Sequence, residues 1–395
     1  MISAAALGLV VLSSGCGGAD GTTSPKPELS GDPVVLAMVN QDSSPAGAYP
    51  EARESAEAAI EYINTELGGL HGSPLELEAC ETDGSPEKSA TCARSLLDKK
   101  PLAFIGGVDF SSSATFAALE NAGQIQLGGM PLLPADFTSE SVVQFVPGSA
   151  GAFPALASYI VQNEDPQSVA IIHADTAAGR DIATTYGEDV FKRLGVDDVR
   201  LVAEAATAAD FTPAVSKALA NDPDVIMVAQ AAEGCSRVMQ AFQALGADTP
   251  AYYISSCATH QIVQAAGAGA EGAMFAANFA AIDGDSEDVQ TYRAAMKEYA
   301  PDVPIGGTGS YGFINVMNAY EVLSEISVEK LDSAAVAESA KGNQTRDGFL
   351  VHDFTCDGKQ LAGAPAVCNS QQRLWQWTDG KFTDLVDEWV DGNVG

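Results

Sequence analysis

Short, uninterrupted apolar runs alternate with stretches of helical periodicity along nearly the whole chain. VVLAMV (34–39) is followed by a segment whose Ala52, Ala56, Ala59, Ile60, Ile63 and Leu67 fall on one helical stripe, and which stops at Gly68 and Gly69. LELEA (75–79), a helix through Leu97, LAFI (102–105), a helix over 112–121, a strand around Ile125 and VVQFV (142–146) continue the alternation. Apolar runs without polar interruption are what strands buried on both faces require, so the pattern predicts a parallel sheet.

After Pro147 the order repeats. A helix over 154–162, VAII (169–172), a helix over 179–194, VRLV (199–202), a helix through Ala220, VIMVA (225–229), a helix to Leu245 and AYYI (251–254) follow in turn. Two series with the same alternation and little shared sequence predict an α/β protein of two doubly wound lobes rather than one large sheet. Beyond Gly272 come AMFAANF (273–279), helices over 288–299 and 311–326, and a β-rich tail containing GFLVHDFTCDGKQ (348–360) and RLWQWTDGKFTDL (373–385), the last read as a hairpin.

Within this pattern, residues 68–113 stand out: strand, helix, strand, then a glycine turn that presents Ser111, Ser112 and Ser113 at the start of a helix. A helix beginning beyond the carboxyl end of a parallel strand aims unpaired N–H groups and nearby hydroxyls into the crevice, where a ligand can be cradled.

Charge narrows the partners. With 53 acidic against 20 basic residues the formal net charge is -33, a field that repels phosphate backbones and anionic lipid and argues against nucleic acid. Such acidity suits solubility in an extracellular or salty setting. Residues 1–15 form an apolar run, too short to span a membrane comfortably, that reads as an export signal ending in Ser13, Ser14 and Gly15 before Cys16; residues 16–32 read as a polar tether. This segment resembles the lipobox of bacterial lipoproteins, which implies lipidation of Cys16 and membrane attachment through that anchor only.

Removing Cys16 from seven cysteines leaves six, in three sequence-local pairs: Cys80 with Cys92, Cys235 with Cys257, and Cys356 with Cys368. Sequential pairing is the economical choice among the 15 connectivities six cysteines allow. No CxxC pair exists, and His71, His173, His260 and His352 fall in unrelated segments, which argues against a metal site. No cofactor is indicated. GAGAEG (267–272) satisfies a dinucleotide fingerprint only formally, because it follows a helical segment and precedes a strand. No GxSxG elbow occurs, so an extracellular enzyme is the weaker functional class.

Over about residues 33–387 the chain resembles the type I periplasmic binding proteins, in particular the leucine/isoleucine/valine-binding family of ABC-transporter substrate-binding proteins. The strings that carry the likeness are GGLHGSPLEL followed by FIGG, AIIHADTAAG, DFTPAVSKALANDPDV, ALGADTPAYYISS, GAGAEGAMF, GFLVHDFTCDGK and LWQWTDGKF, in this order. The resemblance implies two lobes joined by three crossover strands that close on a ligand like a clamp, with crossings near 146–148, 276–281 and 345–350. Lobe I would hold 33–147 plus 281–345, and lobe II 148–280 plus 346–395. It further implies a small polar or amphipathic ligand, an ABC permease as partner, and a place on the outer face of the cytoplasmic membrane. A sensing module that presents its ligand to a signalling partner would use the same clamp.

Family members grip an amino acid by its carboxylate and ammonium groups. The carboxylate-binding serine aligns with Ser111 or Ser112, and plain N-capping is the alternative role of these residues. Met130, Pro131 and Leu132 replace the small and hydroxyl-bearing residues expected next, and Ala177 or Ala178 replaces an aromatic. The acidic partner of the ammonium falls at Ser256 or Cys257, a role closed to Cys257 if it is disulfide-bonded. Glu233 or Asp109 could supply the charge instead. Asn40, Gln41, Asp42, Tyr49, Gln230 and Asn278 complete the candidates at strand ends. This exchange of polar for apolar wall residues suggests a ligand other than leucine.

Overall fold

A computed structural model describes residues 28–44 and 47–394; Cys16 and the export signal lie outside them. The first sheet has five parallel strands in the order β2-β1-β3-β4-β5: β1 Val34–Asn40, β2 Leu75–Glu81, β3 Ala103–Gly106, β4 Gln126–Leu127 and β5 Val142–Val143. The second runs β14-β13-β10-β9-β8-β6-β7, with β6 Ser168–Ala174, β7 Asp198–Glu204, β8 Val225–Ala229, β9 Ala251–Ile254 and β10 Met274–Ala277 parallel. A separate pair, β11 Thr345–Arg346 with β12 Phe354–Thr355, precedes the tail.

The apolar runs are continuous because both faces of each sheet are covered. Leu36, Met38 and Ile105 pack on one side of the first sheet with Ile60 and Ile63, while Ala37, Val39 and Phe104 pack on the other with Leu96 and Leu119. In the second sheet, Ile172 and Val228 face one core and Ile171 and Met227 the opposite one. The tail hairpin, β13 Gln371–Thr378 and β14 Lys381–Asp384, adds two antiparallel strands beside β10, and β15 Val390–Asp391 pairs with β13. Its two-residue turn, Asp379 (φ 51°) and Gly380 (φ 78°), has the left-handed backbone that such hairpins use.

Three passages of chain join the two lobes. The first runs from β5 into the helix Gly148–Glu164. The second leaves β10 for the helices Glu287–Tyr299 and Ser310–Ser324, which pack on the first-lobe helix Pro50–Tyr62. The last returns from β11 to β13. The passages lie side by side: Ala280 donates its N–H to the Leu350 carbonyl at 2.7 Å, and Cys368 to that of Gln144 at 2.9 Å. Three disulfides join Cys80–Cys92, Cys235–Cys257 and Cys356–Cys368, the pairing of sequence neighbours.

Several elements depart from the periodicity reading. VVQFV yields only a two-residue strand, because Gln144 turns away to bridge Val367. The helix expected from Pro154 starts six residues earlier, at Gly148, with Pro154 in its interior. GFLVHDFTCDGKQ contributes only the short strand Phe354–Thr355. The helices Pro134–Thr138 and Ser333–Ala340 lie outside the periodicity reading, whereas the helical segment expected before GAGAEG is His260–Ala266.

Candidate functional site

The polar candidates collect at the carboxyl ends of strands in both sheets. At the end of β1, Asn40 accepts the Val108 N–H at 2.8 Å and donates to the Tyr49 carbonyl and to Asp42, so one buried amide ties the loop after β1 to the loop after β3. Asp42 also receives Arg53 at 2.8 Å, and Arg53 reaches Glu57 at the same distance. Gln41 donates to the Gly47 carbonyl at 2.8 Å. The Tyr49 ring stands 5.9 Å from that of Phe110.

Ser111 and Ser112 begin the helix Ser112–Ala122, and their hydroxyls do not cap it. Ser111 Oγ donates to the Gly84 carbonyl at 2.7 Å, and Ser112 Oγ to Asp136 at 2.6 Å. Instead, Asp109 takes the Ser111 N–H at 2.9 Å, along with the hydroxyls of Ser89 (2.9 Å) and Thr115 (2.8 Å). Ser111 thus occupies the N-cap position of the helix, but neither serine hydroxyl makes a capping hydrogen bond. Behind them, Asp136 also accepts the N–H groups of Leu132 (2.9 Å) and Leu133 (2.8 Å).

Burial raises both carboxyls above the ordinary aspartate value; their hydrogen bonds oppose the rise without cancelling it, and Asp109 adds repulsion at Asp136. A carboxyl raised in the fold stabilises fully below its unfolded value near 3.8, and that contribution is lost as pH rises through the folded value. Asp109→Asn keeps an oxygen for Ser111 and Ser89 and cannot ionise. Urea denaturation of this variant and the wild type is therefore expected to diverge in the variant's favour as pH rises from 4 to 8. Parallel pH profiles would show that Asp109 does not titrate in this way.

Met130, Pro131 and Leu132 form the loop after β4. The Pro131 carbonyl accepts the Ser149 N–H at 3.0 Å and the Leu132 carbonyl its hydroxyl at 2.8 Å, tying this loop to the first interlobe passage. The approach depends on Gly148: its φ is 55°, and a Cβ there would lie 2.1 Å from the Pro131 oxygen.

On the second lobe, Gln230 follows β8 and donates to the Glu204 carbonyl at 3.1 Å, while Ser256 Oγ donates to the Gln230 carbonyl at 2.9 Å. Asn278 follows β10 and donates to the Tyr311 hydroxyl at 2.7 Å, which also lies 3.4 Å from Ser255 Oγ. Cys257 is bonded to Cys235, so it cannot pair with an ammonium group. Ala178 is half-buried in the first turn of the helix Ala177–Ile182, which Thr176 caps. Glu233 lies near the start of the helix Ala232–Leu245, with its side chain outside the described residues.

The helix expected over 311–326 is present as Ser310–Ser324, but sequence reasoning gave it no part in the site. Tyr311 reaches Ser255 and Asn278 at the second sheet, and one turn later Asn315 donates to the carbonyl of Gly106, the last residue of β3 in the first sheet, at 2.9 Å. The strand ends of both lobes therefore meet on one helix. Buried amides at 315 and 318 inside an otherwise apolar helix were the available signal. Two surface grooves of about 480 and 540 Å³ border residues 301–305 and include none of the candidates.

Comparison with known proteins agrees with this architecture. The family model described as periplasmic binding protein matches residues 33–371. A Leu/Ile/Val-binding protein homolog of Brucella melitensis is 21% identical over 366 residues, covering 89% of this chain and 93% of the relative. A possible leucine/isoleucine/valine-binding protein from Rhodopirellula baltica superposes with a TM-score of 0.75 at 17% identity, covering 90% of this chain and 96% of that one. A branched-chain amino acid transporter substrate-binding protein from Streptococcus pneumoniae, solved with isoleucine, gives 0.72 at 15% identity, covering 91% and 99%. For a fatty acid ABC transporter substrate-binding protein from Thermomonospora curvata the values are 0.74, 14%, 91% and 92%. At these identities the solved structures speak for the fold, and the family match extends from just before β1 to the first residue of β13. Two α/β lobes, three connecting passages and polar strand ends gathered on one helix accompany that match, and the chain belongs to the periplasmic binding protein family.

Proposed function

We propose that this protein is an exported solute-binding protein that captures a small molecule between its lobes by hinge closure and delivers it to the permease of an ABC importer. Lobe I comprises 33–147 plus 281–345, and lobe II 148–280 plus 346–395. Cys16 anchors the protein to the outer face of the cytoplasmic membrane. The observation that carries this reading is the helix Ser310–Ser324, which hydrogen-bonds the strand ends of both sheets through Tyr311 and Asn315. A ligand lying there touches both lobes and favours the closed arrangement by its differential contacts.

Mass spectrometry of the purified protein identifies a co-purifying ligand, and small-angle scattering measures closure. The ligand is expected to raise Tm and to reduce the radius of gyration together. A solute that raises Tm without compaction would count against the clamp.

A further inference from the structure

The chain carries 53 acidic and 20 basic residues, yet one groove of about 480 Å³ is lined by two cations and, among the described residues, by no carboxylate. It lies between the helix Glu287–Tyr299 and residues 300–305, and includes none of the strand-end candidates. Arg293 and Lys297 stand one turn apart on that helix, both exposed and both lining the groove. Like charges four residues apart on a helix repel each other, and no carboxylate in the groove offsets the repulsion.

Among the described residues neither side chain has a hydrogen bond or an ion pair. The field of Arg293 reaches Asp283, but that carboxylate is bonded to His260 at 2.8 Å and to the Phe382 N–H at 2.9 Å. By contrast, Arg53, Arg346 and Arg373 are each held by a carboxylate. The rest of the groove is mostly apolar: Met296 and Val303 are buried, Ile305 is half-buried and Pro301 is exposed.

Two unpaired cations beside an apolar surface match an occupant with an anionic head and an apolar body. The head neutralises both cations through charge-assisted hydrogen bonds, and the body takes apolar surface out of water. A bare inorganic anion leaves that surface wet, and a cation is repelled by the pair. The volume is within the range of small-molecule sites. We infer that this groove binds a small amphipathic carboxylate, at a site separate from the strand-end candidates and independent of solute capture between the lobes.

Calorimetry on the whole protein with octanoate, octylamine, acetate and sulfate as probes, and NMR of the protein carrying methyl-labelled methionine, test the inference. Octanoate is expected to bind, more weakly as salt rises, and to shift the Met296 methyl signal, which is identified by its loss in Met296→Leu. At the same concentration octylamine, acetate and sulfate are expected to leave that signal in place. Arg293→Gln combined with Lys297→Gln should lower octanoate affinity at least about tenfold. Lys330→Gln combined with Lys341→Gln makes the same change of net charge outside the groove, and should leave affinity within about twofold. All four positions are exposed, so both variants are expected to fold. The inference is overturned if octanoate does not bind, if the two double variants lose affinity equally, or if octylamine shifts Met296 as octanoate does. Octanoate binding that leaves Met296 undisturbed and is insensitive to Arg293 and Lys297 also overturns it, while the solute-binding reading stands.

Discussion

Gly312→Leu is expected to destabilise the protein by about 3 kcal/mol or more and to weaken ligand binding at least about tenfold, because it forces apart two helices that touch backbone to backbone. A Cβ at 312 would lie 1.8 Å from the Ala52 carbonyl oxygen and 2.4 Å from Ser55 Oγ. Ser55 Oγ hydrogen-bonds the Gly309 carbonyl at the same crossing, so neither helix can yield without losing a buried partner. Flanking this glycine are Tyr311 and, three residues on, Asn315, which reach the strand ends of the two lobes; displacing the helix moves both. Urea denaturation reads the first effect and calorimetry the second. Gly312→Ala should show the same changes in smaller degree. Wild-type stability in both variants would mean that the helices are not in such close contact.

Trp375→Ala is expected to cost about 4 kcal/mol. The indole is fully buried in β13, opposite Phe275 of β10, with its ring 5.3 Å from that of Phe279 and 5.6 Å from that of Phe382. Removing it opens a cavity where the tail hairpin joins the second sheet. The urea midpoint should fall with an unchanged slope. Trp375→Phe separates packing from polarity: the indole N–H has no hydrogen-bond partner, so phenylalanine loses volume alone and should cost about 1.5 kcal/mol. Equal losses in the two variants would contradict the cavity explanation.

Long apolar runs were legible because two covered faces leave no room for polar residues, and β1, β3, β6, β8 and β9 all lie where such runs predicted them. Short elements were not. The five-residue helix Pro134–Thr138 is held by Asp136, whose partners include Ser112, 24 residues away. VVQFV shows the opposite failure: its composition is that of a strand, but Gln144 is diverted by a partner more than 200 residues downstream.

The site divides along the same line. Ser111 and Ser112 could be nominated from a glycine turn ahead of a helix, a local signal. What their hydroxyls do depends on Gly84 and Asp136, and only the folded chain brings those close. Tyr311 and Asn315 were passed over because an apolar helix invites a core reading, although two asparagines in such a helix require partners.

Among the described residues no disulfide links positions more than 22 apart in sequence, and this locality has a mechanical result. Cys80–Cys92 braces β2 to its following helix, Cys235–Cys257 braces a second-lobe helix to the turn carrying Ser255 and Ser256, and Cys356–Cys368 shortens the last passage. In the proposed clamp, stiffness is thus placed inside the jaws and beside the joint, while rotation between them is left to hydrogen bonds. A reducing environment would soften the gripping surfaces before it altered the swing that brings them together.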